Sequence, residues 1–503
     1  MRRAATCIVL LVLAVGCIPQ HRVERQLVTP GTGQPLNTNS RYLKAHMRDG
    51  SLFVLDGWKQ EANEMQGTGV RLSVNRDTLA TGALRVPIDS VLLFETNVLP
   101  AQNTKTPFVV FTVVTGIFGV ICATSPKTCF GSCPTFYASD DQHILAEGFS
   151  ASIAPALEAT DVDKLAIAPV KDAMFTLRMT NEAMETHVIR SLRLLTFPAR
   201  AGTQVVATAR GEFWRVANAQ SPECTGPEGS CTAAIRAADR VERFSPADSL
   251  DLAAREEIEL QFVTPKAGEY ALVLKSRQTL LHTYVFYQTL AYLGSQAGEY
   301  LASLSRGNMQ RFNSLMNLGR AMGGIDVGKP DSREKLEMVY ETGPLATDAH
   351  LIKLGVLTRG PHTVRLRMAK GHWRIDQLSI VSMIEKLEPI AIDPSEVTHN
   401  GKTDATALEA LLTPASTLAS IPGDEFKIGF KLPKYPEGAE LFLEARGYYL
   451  EWMREAWMRE ENAERASMML DDPARGLREI APEFKKWEPR MESLFWSSRY
   501  VRN

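Results

Sequence analysis

Between residues 41 and 97 apolar and polar positions alternate in short runs: "YLKAHM", "SLFVLDGW", "GTGVRLSV", "GALRVP" and "DSVLLFETN", separated by Gly and Asp turns such as "RDG". Side chains two apart share one face of a strand, so this rhythm predicts a small antiparallel barrel over residues 41–100. The alternation returns further on. Phe175, Leu177 and Met179 form one strand pattern, and Val188, Ile189, Leu192, Leu194 and Leu195 follow after a polar bend, which predicts β-sandwich structure across residues 124–275. From Thr279 the period changes to that of a helix: Leu281, Val285, Leu290, Leu293, Ala297 and Leu301 predict one long central helix inside a helical insertion at 276–330. Strands resume in "EMVYETGPLATDAHLIKLG", "HTVRLRMAKGHWRIDQLSIVSM" and "DEFKIGFKLP", the second sandwich part at 331–435, and residues 436–503 read as C-terminal helices, with Asp472 capping a helix that starts at Pro473. The expected fold class is α+β and β-rich.

Two stretches do not fit this frame. Residues 107–123 hold an apolar segment without a charge from Phe108 to Ala123. As a helix it reaches about 24 Å, short of the ~30 Å hydrocarbon core, so it is either buried in the protein or dips into a membrane. The chain opens "MRRAATCIVLLVLAVGC", with Arg2 and Arg3 ahead of an apolar run and small residues before Cys17, the pattern of a signal peptide over 1–16. "AVGC" resembles the lipobox of bacterial lipoproteins, and the resemblance implies that Cys17 receives the lipid, that 17–40, rich in Pro, Gly, Thr and Asn, is a lipidated tether, and that Ile18 after the cysteine directs the chain to the outer membrane. Residues 41–97 resemble an Sm-type barrel, a likeness that brings no chemical group with it.

Composition adds exclusions. In 503 residues the formal net charge is −2, and neither Lys nor Arg forms a block, which argues against nucleic acid as a partner. The chain has no Gly-x-Ser-x-Gly elbow, no His-Glu-x-x-His and no phosphate loop, and no cofactor or metal is expected.

An exported chain reads its cysteines as disulfides. Cys224 and Cys231 flank "TGPEGS", and Cys122 and Cys129 flank "ATSPKT", two turn sequences of equal length that make each pair a disulfide candidate. The first closes a short loop, worth about 2–3 kcal/mol. Cys133 is then left over in "TCFGSCPTFY", where three residues rather than two separate it from Cys129 and a single histidine, His143, lies near, so neither a redox centre nor zinc fits and the stretch reads as wall. The segments "GSCPTFY" and "NEAMETHVIRSLRLLTF" resemble a CP-x-x-Y, NE-x-x-ET module of secreted bacterial proteins, some joined to tetratricopeptide or FG-GAP repeats, with "GPLATD" and "GHWRIDQLSI" as its continuation. That resemblance implies an extracytoplasmic β-sandwich and brings no catalytic residue.

The remaining candidates are polar clusters. "HWRID" places His372, Arg374 and Asp376 on one face of a strand, either as an exposed ion-pair ladder or as a ligand or hydrolase site. Glu341 with Asp348, and Glu158 with Asp161 and Asp163, are paired carboxylates of the kind glycosidases use, and only their separation in space gives them meaning. His282, beside Tyr284 and Tyr287, reads as a core histidine. The aromatics of the C-terminal helices, from Tyr448 to Tyr500, form a docked layer or a groove for an envelope protein partner. The functional expectation is a lipid-anchored cell-envelope protein, a non-enzymatic scaffold or binding module. An envelope hydrolase using the His372 and Asp376 face and a membrane-assembly component are the alternatives.

Overall fold

The computed structural model describes residues 24–98, 133–138, 143–340 and 343–497. The signal peptide, Cys17, the 107–123 segment, Cys122 and Cys129 lie outside them. The chain divides into two compact units, residues 1–114 and 115–503.

In the first unit six antiparallel strands run in the order Glu24–Val28, Val91–Val98, Tyr42–Met47, Leu52–Glu61, Glu64–Leu72 and Thr78–Pro87. Alternation does what period two requires: Leu43 and Ala45, Leu55, Met65 and Val86 all point into one core, which draws on every strand of the sheet and so curls it into a barrel-like form. The tether reading needs correction at its end. Glu24–Val28 is a strand, paired from Glu24↔Val98 to Val28↔Phe94. Its Arg25 reaches the buried Glu95 at 3.1 Å, beside Lys44 at 3.3 Å and His46 at 3.5 Å. Burial by itself raises the Glu95 carboxyl, but the His46 hydrogen bond and these cations pull it down to about 2.

The second unit holds two sandwiches, one nested in the sequence of the other. The outer sandwich takes its strands from residues 135–198 and 390–451. Its spine is the pairing of Glu185–Pro198 with Ala439–Glu451, which runs from Glu185↔Glu451 to Pro198↔Ala439 and bulges between Ile189 and Ser191. Leu177, Met179, Ile189, Leu192 and Leu194 fill its core against Ile428, Phe430, Leu441 and Leu443. Leu195 and Phe197, on the opposite face, join Phe442, Val205 and Phe213 in a small cluster that ties this sandwich to the next.

The inner sandwich occupies the sequence between these two arms. Thr203–Ala207, Phe213–Gln220, Trp373–Leu387, Gly268–Gln278 and Asp348–Leu357 pair in a closed ring, fastened by one parallel contact, Ala207↔His350. Along Gly268–Gln278, Ala271 and Val273 point into the ring with Val206, Val216, Leu351 and Val381, while Leu272 and Leu274 pack outward against Ile258, Leu260, Val364 and Leu366 of the facing sheet. A strand buried on both faces reads as the continuous apolar run "YALVL". Cys224 and Cys231 are joined in a disulfide within this core. The expected boundary at 275/276 is therefore not where the sandwiches part: each is closed by strands far apart in sequence.

Two helical expectations also change. The long helix is α1 (Leu280–Leu293) and α2 (Ala297–Ser305), followed by α3 (Met309–Met322). The break is at Gly294, whose φ of 53° is a left-handed conformation that an L side chain resists, with Glu461 pressed against the position a Cβ would take. After α4 (Ala405–Leu412), helices were expected from residue 436, but Ala439–Glu451 is a strand, and α5 (Glu455–Glu460), α6 (Ala463–Asp471) and α7 (Pro473–Ser497) begin only afterwards. The run "LFLEARGYYL" alternates in burial because it has the Glu185–Pro198 strand to pair with, and tertiary pairing outweighs helix propensity there. Asp472 Oδ1 does accept from Arg475 N at 3.2 Å, as the α7 cap requires. Trp457, Phe484 and Phe495 are buried in the helical core with Tyr284, and Trp496 remains exposed.

Candidate functional site

The "HWRID" face does not assemble as its alternation predicts. Lys275↔Gln377 is followed by Ser276↔Ile375, so Asp376 is an extra residue in the pairing, a bulge that reverses the parity of the strand. Trp373 and Ile375 lie in the core before it, and Leu378 and Ile380 after it. An exposed ladder is ruled out: His372 is 1% and Asp376 5% exposed. His372 Nε2 donates to the Leu252 carbonyl at 3.1 Å, and its ring stands edge-on to His282 with centroids 6.5 Å apart. Burial and the neighbouring His282 push the His372 imidazole down to about 3. Asp376 accepts the Arg240 backbone N–H at 2.8 Å. Arg374 meets Glu492 at 2.8 Å and stacks over Phe244, 4.2 Å from its centroid. Among the described residues no hydrogen bond or ion pair unites the three, and each has a structural partner of its own.

The two segments of the CP-x-x-Y and NE-x-x-ET pattern do meet. Met174–Thr180 pairs with Thr135–Ala138, which sets Thr180 opposite Thr135. Tyr137 donates its hydroxyl to Glu182 at 2.8 Å, and Arg178 lies 4.3 Å from the Tyr137 centroid. Asn181 closes the turn by donating to the carbonyls of Glu185 and Ser420, both at 3.0 Å. Beyond it His187 Nε2 and Glu185 lie 2.7 Å apart with no exposure at all. Glu451, directly across the pairing from Glu185, receives the Tyr287 hydroxyl of α1 and an Arg454 guanidinium at 2.6 Å. Burial, and the Glu185 charge behind it, push the Glu451 carboxyl well above the usual range against the pull of Arg454. These buried residues make up one wall of the outer sandwich.

That wall bounds a cavity of about 440 Å³ between the outer sandwich and helices α1 and α3. Ile153, Leu157, Phe286, Leu315, Leu318 and Met322 give it an apolar lining, Cys133, Tyr449, Tyr287 and His282 are among its polar points, and Glu147 and Arg320 are charged residues on its wall. Cys133 is buried and outside any disulfide, so "TCFGSCPTFY" is wall, at least at its described end, and specifically the wall of a chamber. Tyr449 donates to the Ser150 carbonyl at 2.8 Å. Burial pushes His282 down to about 4, so the ring facing the chamber is neutral. Gly319, in the body of α3, also lines it, and a Cβ there would meet nothing within 4 Å.

The paired carboxylates divide. Asp163 accepts the Glu147 backbone N–H at 3.3 Å, and burial together with Asp161, Asp348 and Glu147 raises its carboxyl well above the usual range. Glu147 itself accepts the N–H groups of Leu345 and Ala346, at 2.6 and 3.3 Å, so it serves the backbone of that loop. Glu158 binds Arg190 and Arg446. Glu341 lies outside the described residues. Among the described residues no group of three or more His, Cys, Asp or Glu is arranged to hold a metal ion. Nor is any helix among them long and apolar enough to cross a membrane.

No family model matches the chain, and no curated protein matches it. Among solved structures it is similar to a β-(1,4)-mannanase of Podospora anserina at 14% identity, covering 41% of this chain and 30% of that one with a TM-score of 0.15. It is similar to an isomalto-dextranase of Arthrobacter globiformis T6 at 8% identity, with 68% and 36% covered and a TM-score of 0.14. An α-xylosidase of Xanthomonas citri gives 8% identity, 85% and 38% covered, and a TM-score of 0.17. The chain spans about a third of the length of these proteins, and TM-scores this low carry no argument about fold or activity.

Proposed function

We propose that this protein is a lipid-anchored, non-enzymatic binding module of the bacterial cell envelope, and that the cavity beside α3 takes an apolar ligand of acyl-chain type. The observation that carries the reading is Gly319. Glycine inside a helix costs about 1 kcal/mol relative to alanine, and here no neighbour forbids the larger residue. What the glycine preserves is the open volume. An apolar chamber with a few polar groups is the usual form of a small-molecule site; its His282 is neutral at pH 7, and of the charged residues on its wall Glu147 accepts the Leu345 and Ala346 N–H groups and Arg320 bonds to Asn317. The anchor rests on the basic start and "AVGC". Against the hydrolase alternative stand the separate structural duties of His372 and Asp376.

The test fills the chamber from its own wall. The detergent-solubilised chain is expected to bind cis-parinaric acid saturably, with displacement by palmitate, and Gly319→Leu to lose that binding by at least about tenfold while melting no lower than the wild type. Binding unchanged in Gly319→Leu, or none in the wild type, overturns the reading.

A further inference from the structure

The second unit also holds a larger cleft of about 970 Å³, lined in part by charged residues, where the outer sandwich, the closed ring and the end of α7 come together. Among the described residues that line it are four cations, Lys164, Arg240, Lys275 and Arg277, and two carboxylates, Glu242 and Asp376. Their pairing is uneven. Lys164 is satisfied by the Val205 carbonyl at 2.6 Å and Glu440 at 3.3 Å. Arg277 is held by Glu242 at 2.6 Å and Glu492 at 3.2 Å. Lys275, half-buried two residues earlier on the same strand face, has no hydrogen bond or ion pair among the described residues. Asp376 is close enough to favour its charge without bonding to it, and burial lowers its pKa.

Arg240 is the second unmatched cation. Its guanidinium bonds to His143 Nδ1 at 2.6 Å and forms no ion pair with a described carboxylate. Its backbone is unusual, with φ of 67° in a residue that is not glycine. Such a conformation is sparsely populated and persists where surrounding contacts hold it. The contact here is Asp376, which accepts the Arg240 N–H. Thus the bulged carboxylate positions an arginine at the cleft. Trp496, 43% exposed, supplies a flat apolar surface to the same wall.

We propose that this cleft binds an organic anion, a small molecule whose phosphate or carboxylate is taken by Lys275 and Arg240 and whose flat apolar part lies on Trp496. A half-buried ammonium with no acceptor among the described residues leaves its donors to solvent, and an anion supplies a fixed acceptor. Guanidinium and ammonium together suit an oxyanion, the first by its fork of donors and the second as a point charge. The inference is independent of the apolar chamber, which shares none of these residues.

Calorimetric titration of the full chain with phenyl phosphate, benzoate and inorganic phosphate tests it. Phenyl phosphate or benzoate is expected to bind at one site with an affinity that falls with added salt, and Lys275→Met to weaken it by about tenfold to a hundredfold, the worth of a charged hydrogen bond. Trp496→Ala should weaken the aromatic anions and leave inorganic phosphate unchanged. The two aromatic probes distinguish a phosphate from a carboxylate site. Because Lys275→Met alters a half-buried strand, the wild type is also read directly, by ¹³C-dimethylation of its lysines and the shift of the Lys275 resonance on titration. Absence of binding by all three anions, an unmoved Lys275 resonance, or equal affinity in wild type and a folded Lys275→Met overturns the proposal.

Discussion

His282 and His372 stand edge-on in the second unit, both neutral at pH 7, with burial holding them down to about 4 and about 3. An unfolded histidine titrates near 6.5, so as pH falls the unfolded chain takes up protons that the folded chain refuses. The stability that depends on these neutral rings is complete above about pH 6.5 and drains away between there and their folded values. Each contributes up to about 1.4 kcal/mol per pH unit in that window. Melting of the wild type between neutral and mildly acid pH is therefore expected to fall more steeply than that of a His282→Leu, His372→Gln double variant, in which glutamine keeps a donor toward Leu252. Parallel pH profiles for the two proteins would remove the histidines from the account. At this scale the sequence was half legible. "HWRID" reads as one strand face for His372, Arg374 and Asp376, but the extra residue at Asp376 depends on what the partner strand does at Lys275 and Ser276, and no local period contains that.

Elements were legible where their cause is local. The alternation of Phe175, Leu177 and Met179, the Asp472 cap and the Cys224–Cys231 bridge all follow from neighbours in sequence, and the structure has them. The strand Ala439–Glu451 was not, because its partner lies some 250 residues earlier and its aromatic, arginine-rich text also suits a helix. The helix break after α1 is a third case: glycine is tolerated within helices, and only the approach of Glu461 shows why this one bends the chain. Two glycines thus make opposite predictions. Gly294→Ala puts a Cβ into a left-handed conformation, costing about 1–2 kcal/mol, and presses on Glu461 besides, so a loss of at least that size is expected in urea unfolding of the variant. Gly319→Ala meets open space and should gain up to about 1 kcal/mol. Equal and small effects at both sites would show that the α1 to α2 corner adjusts freely.

For the molecule as a whole, the β-rich class and the helical end were readable from composition and period, whereas the nesting of one sandwich inside the other was not, since the outer sandwich closes only when residues 390–451 return to 135–198. The apolar chamber shares this origin: Cys133, α1 and α3 belong to three separate stretches of text, and only packing makes them one surface. Attachment is a property of the whole chain too. With Cys17 as the lipidated residue, Cys17→Ser is expected to move the protein from the membrane pellet to the soluble fraction and to abolish incorporation of radioactive palmitate. Palmitate still incorporated by the serine variant would refute the anchor.

The closed ring has one further consequence. A sheet that ends in an unpaired strand offers a template on which a second chain can add, the common start of domain swapping and amyloid. Five of the strands in this protein have largely given up that hazard by pairing with one another in a circle. The circle is fastened at Ala207↔His350 by a single residue pair, while its other four seams run along the strands. Self-association by strand exchange therefore has a natural point of entry at that clasp, between Thr203–Ala207 and Asp348–Leu357, where the least pairing must be broken to expose an aggregation-prone border.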